Sequence, residues 1–65
     1  MFLELEIVTR ENEVFPALFN HHSIIAIYPS LLHSDRTIVA LTNGKEYELN
    51  ENFSMVKSRY EGKIK

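Results

Sequence analysis

The sequence predicts an α+β domain that is mainly β, a small antiparallel five-stranded curled sheet or open barrel with a C-terminal helix. Three observations support this fold class. Apolar and polar residues alternate in short runs, as in half-buried strands. An Asn-Gly pair separates two such runs, and a stretch with apolar residues at intervals of three and four follows the last one. With 65 residues and no cysteine, the chain has room for one small core and has no disulfide to support it.

The first two predicted strands cover about residues 2–10 and 14–19. Leucines alternate with glutamates in the first strand, and a short polar break before the second allows the two to pair as a hairpin. Because proline cannot donate a hydrogen bond to a ladder, Pro16 predicts that the second strand is an edge strand or is bulged.

The third strand is predicted over about residues 24–28, an isoleucine-rich run that ends with Tyr28. Both of its faces are apolar, which predicts a central strand or one that is covered on both sides. The loop that follows contains Leu31 and Leu32, and neither leucine has an evident partner in a strand or helix.

Residues 37–41 and 45–49 form the fourth and fifth predicted strands. The Asn-Gly pair between them predicts a two-residue type I′ turn, in which both central residues need a positive φ. The resulting register places Ile38 on the core side. It places Val39 and Leu41 opposite glutamates, on the face away from the core.

The last element is predicted to be a short helix over about residues 51–60. Asn50 is in the position of an N-cap, and an acidic residue follows it in the first turn, where it complements the helix dipole. Gly62 comes just after the predicted end, where glycine is common. The whole chain is therefore predicted to be a single small domain.

Three segments and the acid-capped terminal helix resemble the FlbD-type short flagellar-protein family and related small uncharacterised proteins of bacteria and their phages. The segments are Val-Thr-Arg at residues 8–10, Phe-Asn-His-His-Ser-Ile-Ile-Ala-Ile-Tyr-Pro at 19–29, and Thr-Ile-Val-Ala-Leu-Thr-Asn-Gly-Lys-Glu-Tyr at 37–47. The resemblance covers most of the chain. It implies a small bacterial or phage regulatory module, and it supplies no active-site residues to carry over.

The residues with catalytic or metal-binding chemistry do not form a recognisable site in the sequence. His21, His22 and His33 lack the spacing and the additional ligands of a four-ligand metal shell. Ser23 and Ser34 follow histidines directly, and sequence neighbours seldom have the geometry of a nucleophile and its base. We therefore predict that the chain is not an enzyme and binds no cofactor or metal.

The chain has more apolar residues than one small core holds, which predicts an exposed patch of the kind that binds protein chains. We expect a non-enzymatic protein-binding or regulatory module whose partner is another protein, a second copy of the chain in a homo-oligomer, or both. An alternative is a phage- or mobile-element-encoded inhibitor that occludes a host enzyme. The candidate partner-binding residues are Phe15, Phe19, Leu31, Leu32, Val39 and Leu41.

The charge balance, seven Lys+Arg against nine Asp+Glu, gives a net charge of −2. Nucleic-acid binding is a second alternative, but interleaved glutamates favour a solvated surface over a nucleic-acid interface. No apolar run has the length of a membrane span and no signal-peptide pattern is present, so we expect a cytoplasmic protein with no membrane partner. The basic residues concerned are Lys45, Lys57, Arg59, Lys63 and Lys65.

Overall fold

The computed structural model describes residues 2–64, which form one antiparallel sheet and one α-helix. The strands lie in the order β2-β1-β5-β4-β3, and within the described residues the two outer strands do not pair to close a barrel. This architecture confirms the predicted fold class. The elements are β1 (Phe2–Val8), β2 (Val14–Asn20), a 3-10 turn (His21–Ser23), β3 (Ile24–Pro29), β4 (Thr37–Leu41), β5 (Glu46–Leu49) and α1 (Phe53–Ile64).

Strands β1 and β2 form a seven-residue antiparallel ladder, in which Leu3 pairs with Phe19 and Leu5 with Ala17. Strand β2 is an outer strand of the sheet, as Pro16 predicted. The missing N–H of Pro16 removes no interstrand hydrogen bond on the open side of β2, because no strand lies there to accept one.

Strand β3 is the other outer strand, so the prediction of a central strand was wrong. Its ladder with β4 is irregular between Ile24 and Ala26, which leaves Ile25 as a bulge residue that is 66% exposed. Ile24 and Ile27 pack against the core. The bulge explains why apolar residues occur on both faces, because it breaks the simple alternation of the strand.

The turn between β4 and β5 has three residues, whereas the sequence predicted two. The Leu41 N–H donates to the Lys45 carbonyl at 2.9 Å, and the Gly44 N–H donates to the Leu41 carbonyl at 3.0 Å. Gly44 has a φ of 88°, whereas Asn43 does not have the positive φ that a type I′ turn requires. The turn therefore follows the three-residue pattern that ends in a glycine bulge.

The additional turn residue shifts the register by one and exchanges the two faces of β4. Val39 pairs with Tyr47 on the core side, while Ile38 pairs with Glu48 on the opposite side. Val39 is 0% exposed. The prediction that Val39 lies on the face away from the core was therefore wrong.

Helix α1 begins at Phe53, later than predicted, because a different asparagine caps it. The Asn52 Oδ1 atom accepts a hydrogen bond from the Met55 N–H at 2.9 Å, as an N-cap side chain does. The predicted cap, Asn50, extends the sheet instead, since its N–H donates to the Glu6 carbonyl at 2.9 Å.

The helix also continues past its predicted end near residue 60, and Gly62 lies within it. Within residues 2–64, no helix has the length and apolar character that crossing a membrane requires.

The core lies between one face of the sheet and α1. Val56 of the helix is fully buried, and Tyr60 packs against the same cluster. Phe19 contacts Tyr47 edge to face, with ring centroids 5.9 Å apart. The buried cluster consists of Leu3, Leu5, Phe19, Val39, Leu49 and Val56.

Candidate functional site

The six residues predicted to contact a partner separate into a buried and an exposed group. Phe19 is buried because it faces the core across from Leu3, and Val39 is buried by the register of β4. Leu41 is half-buried and packs against the core cluster. These three residues do not form an accessible surface. The exposed group is Phe15 at 47%, Leu31 at 98% and Leu32 at 87%.

Leu31 and Leu32 are the most exposed of the six candidate residues. They lie in the leucine loop, residues 30–36, which joins β3 to β4. The Ser30 N–H donates to the Arg36 carbonyl at 3.0 Å and closes the base of the loop. The Ser30 hydroxyl oxygen accepts hydrogen bonds from the N–H groups of Leu32 and His33, each at 3.3 Å. Backbone hydrogen bonding thus fixes the loop while the leucine side chains remain in solvent.

Polar contacts attach the base of the leucine loop to the sheet. Arg36 forms an ion pair with Glu48 at 3.1 Å, and the Ser30 hydroxyl donates to the other oxygen of the same carboxylate at 3.3 Å. The Tyr28 hydroxyl donates to Glu46 at 3.1 Å. Desolvation, together with the hydrogen bond to Glu46 and its charge, raises the pKa of Tyr28 above the usual 10.0.

The outer face, the side of the sheet opposite α1, has an acidic stripe. The alternation of the strands places glutamates of β1 and β5 on this side, because their neighbours in sequence face the core. Exposed Phe2 and Leu18 lie beside the stripe at 57% and 67% exposure. The stripe consists of Glu4, Glu6, Glu46 and Glu48.

A second accessible feature is a groove between the first half of β1 and helix α1, called here the β1 groove. Strand β5 pairs with β1 only at Ile7 and Val8, so in the described structure residues 2–5 have no strand beside them on that side. The groove has a volume of about 1020 Å³. Its lining includes Phe2, Glu4, Leu18, Glu51, Met55 and Arg59.

Glu51 is the most enclosed charged residue of the β1 groove, with a side chain that is 10% exposed. Its Oε2 atom accepts a hydrogen bond from Arg59 at 2.7 Å. Its Oε1 atom is buried and has no hydrogen-bond partner among residues 2–64. The Thr37 hydroxyl donates to the Glu51 carbonyl at 2.7 Å and holds this segment against the sheet.

The β1 groove has no local signal in the sequence. The groove exists because β5 is shorter than β1, and the length of a ladder between strands about 40 residues apart has no local signal in the sequence. The sequence predicts the start of the helix at Asn50 and Glu51. In the structure, Asn50 still pairs with β1, and the helix begins at Phe53.

Among the described residues, no histidine lines the β1 groove. His21 and His22 form part of the 3-10 turn with ring centroids 4.0 Å apart, and the Asn20 side chain accepts from the His22 N–H at 3.0 Å. His33 belongs to the leucine loop. Within the described part of the chain, no three potential metal-ligating side chains converge.

Among the basic residues, Arg59 is paired with Glu51, and Lys45 lies at the β4–β5 turn. The side chain of Lys63 and the whole of Lys65 lie outside the described residues.

Comparisons with known proteins found no match for this chain among protein-family models, curated proteins or solved structures. The likeness to the FlbD-type family therefore stays a resemblance.

Proposed function

We propose that this protein is a non-enzymatic protein-binding or regulatory module that docks through the leucine loop. The observation that carries the proposal is a pair of adjacent leucines, 98% and 87% exposed, in a loop that is fixed by its own hydrogen bonds. Burying a leucine side chain contributes about 1.5–3 kcal/mol. Because the loop is already ordered, little of this gain is lost to ordering it on binding.

The partner is another protein, a second copy of the chain, or both. Two neighbouring leucines that are exposed on one loop form an apolar surface feature of the kind that protein partners cover. Self-association would also extend the small core of a 65-residue chain. An inhibitor of a host enzyme would use the same surface, so the identity of the captured partner distinguishes the two roles.

Nucleic acid is a less favoured partner. The outer face carries the acidic stripe, and the phosphate backbone repels such a surface. The ion pair of Arg59 with Glu51 also occupies one of the candidate phosphate contacts.

The proposal is tested with Leu32→Asp, with Ser34→Asp as the matched control. Both variants add one charge to the same exposed loop, but only the first removes an apolar anchor. We expect Leu32→Asp to weaken self-association or partner capture at least tenfold, and Ser34→Asp to change it little. Sedimentation velocity measures self-association, and capture from a native lysate on the immobilised chain identifies other partners.

The thermal melts of both variants provide the stability control. A substitution at an exposed loop position changes the free energy of unfolding by no more than about 0.5 kcal/mol. If Leu32→Asp is folded and retains its oligomeric state and every captured partner, the leucine loop is not the docking surface.

A further inference from the structure

The first half of β1 has an unpaired backbone edge inside the sheet. Within one strand, successive residues direct their N–H and C=O groups to opposite sides, so every second residue faces the same side. The Glu6 carbonyl accepts from Asn50 on the β5 side, so Phe2 and Glu4 direct their backbone groups to the same side. No strand lies there in the described structure. This edge provides the hydrogen-bonding pattern that an additional strand requires.

The charges of the β1 groove indicate the chemistry of the strand that fits. Glu4, Glu6 and Glu51 line the groove, and Arg59 is the basic side chain among its lining residues. Three carboxylates against one guanidinium leave a local charge of −2. The buried Oε1 of Glu51, which lacks a partner in the described chain, is an additional acceptor at this site. A basic segment complements both features.

The apolar residues of the groove indicate how that segment alternates. Met55 lines the groove from the helix and is 51% exposed, whereas Phe2 and Leu18 lie on the outer face with Glu4. A strand beside β1 presents one set of side chains to the outer face, next to Glu4 and Glu6, and the other set towards Met55 on the helix side. Basic and apolar residues in alternation therefore match the two sides.

A second copy of the chain fits this edge poorly. Antiparallel pairing of two β1 strands would bring Glu4 and Glu6 of both copies together on one face, and like charges directly opposite one another destabilise a sheet. The edge therefore favours a different chain.

We propose that the β1 groove binds an extended basic peptide segment of a partner protein by strand addition to residues 2–5. The inference rests on the proposed protein-binding function and gives it a second surface, distinct from the leucine loop. The partner strand pairs with the backbone of β1, its basic residues face Glu4 and Glu6, and its apolar residues lie against Met55.

The probe is a dye-labelled, end-capped octapeptide of alternating lysine and valine, titrated against the full chain by fluorescence anisotropy. A glutamate-valine octapeptide of the same length tests the charge. Two further forms of the lysine-valine peptide carry N-methyl groups, one on every lysine and the other on every valine. Strand addition uses the N–H groups of one peptide edge only, so we expect one methylated form to bind at least tenfold more weakly than the other.

On the protein side, the double variant Glu4→Lys/Glu6→Lys is compared with Glu11→Lys/Glu13→Lys. The control pair changes the net charge by the same amount at exposed positions in the β1–β2 turn. We expect the first variant to lose at least tenfold in affinity and the control to lose less than threefold. Amide chemical shifts of the labelled wild-type chain should move most at residues 2–5 and Met55.

Equal affinity of the two methylated peptides would overturn strand addition, since charge attraction alone does not distinguish them. Shifts centred on Leu31 and Leu32 would also overturn it and would assign the peptide to the leucine loop. Because Leu32→Asp tests that loop separately, failure of the β1 groove to bind leaves the result for the proposed function unchanged.

Discussion

Introducing a lysine at two neighbouring positions of β4 tests which face of this strand forms the core. Val39 is 0% exposed and pairs with Tyr47, whereas Ile38 is half-buried on the outer face and pairs with Glu48. Val39→Lys places an ammonium group in the core. Ile38→Lys places the same group beside a carboxylate, where the aliphatic part of the side chain lies along the surface.

The expected magnitudes differ enough to be measured. Val39→Lys loses about 1.5–3 kcal/mol of apolar burial and adds several kcal/mol for an unpaired buried charge. A domain of 65 residues has a total stability of roughly 3–10 kcal/mol, so this variant should be largely unfolded at room temperature. Ile38→Lys should change the free energy of unfolding by no more than about 1 kcal/mol, since a cross-strand charge pair contributes up to about that amount.

Val39→Ala provides a graded version that stays folded. Two buried carbon atoms are removed, which costs about 1.6 kcal/mol in transfer free energy, and the remaining cavity raises the total to about 2–3 kcal/mol. At about 4–8 °C per kcal/mol for a domain of this size, the melting temperature should fall by roughly 10–20 °C.

The assay is thermal and urea unfolding followed by circular dichroism on all three variants. If Ile38→Lys unfolds the chain while Val39→Lys melts like the wild type, the β4–β5 hairpin has the two-residue turn and the opposite register. Such a result would refute the assignment of Val39 to the core and return it to the candidate docking surface.

Three further predictions concern the turn, the helix cap and Tyr28. Gly44→Ala should cost about 1 kcal/mol because of the positive φ, and Asn43→Ala about half of that or less; comparable urea midpoints for the two would indicate a type I′ turn. Asn52→Ala should remove about 1 kcal/mol through the lost N-cap, seen as a lower melting temperature, and an unchanged melt would contradict the cap assignment. A raised folded-state pKa favours the neutral phenol of Tyr28, so its stabilisation is complete below pH 10 and lost as the pH rises through the folded-state pKa. The difference in melting temperature between the wild type and Tyr28→Phe should therefore shrink between pH 8 and pH 11, and a constant difference would count against the contact with Glu46.

Local signals in the sequence predicted the elements well, because each strand depends on its own alternation. Pro16 predicted an outer or a bulged strand, since its missing N–H is a property of one residue, and β2 is an outer strand. The Asn-Gly pair did not determine the type of turn. Both a type I′ turn and a three-residue turn with a glycine bulge accept these two residues, and the choice depends on which face of β4 packs against α1.

The sites were predicted less well than the elements, because accessibility depends on tertiary contacts. Leu31 and Leu32 were identified correctly as exposed, since a loop between proline and a charged cluster provides no partner for them. Phe19 and Val39 were assigned to a surface although they fill the core, because the sequence does not show how much apolar area one helix covers. The unpaired half of β1 follows from the end of β5, which only the three-dimensional arrangement reveals.

The two outer strands of the sheet affect how the protein behaves at high concentration. Exposed strand edges can template the stacking of chains into aggregates. Here Pro16 interrupts the free edge of β2, while the bulge at Ile25 and Pro29 at the end of β3 make the other edge irregular. The unpaired backbone of β1 lies in a short recess flanked by glutamates, where copies of the same chain repel one another. The chain should therefore remain dispersed at concentrations at which a flat five-stranded sheet of this size would form fibres.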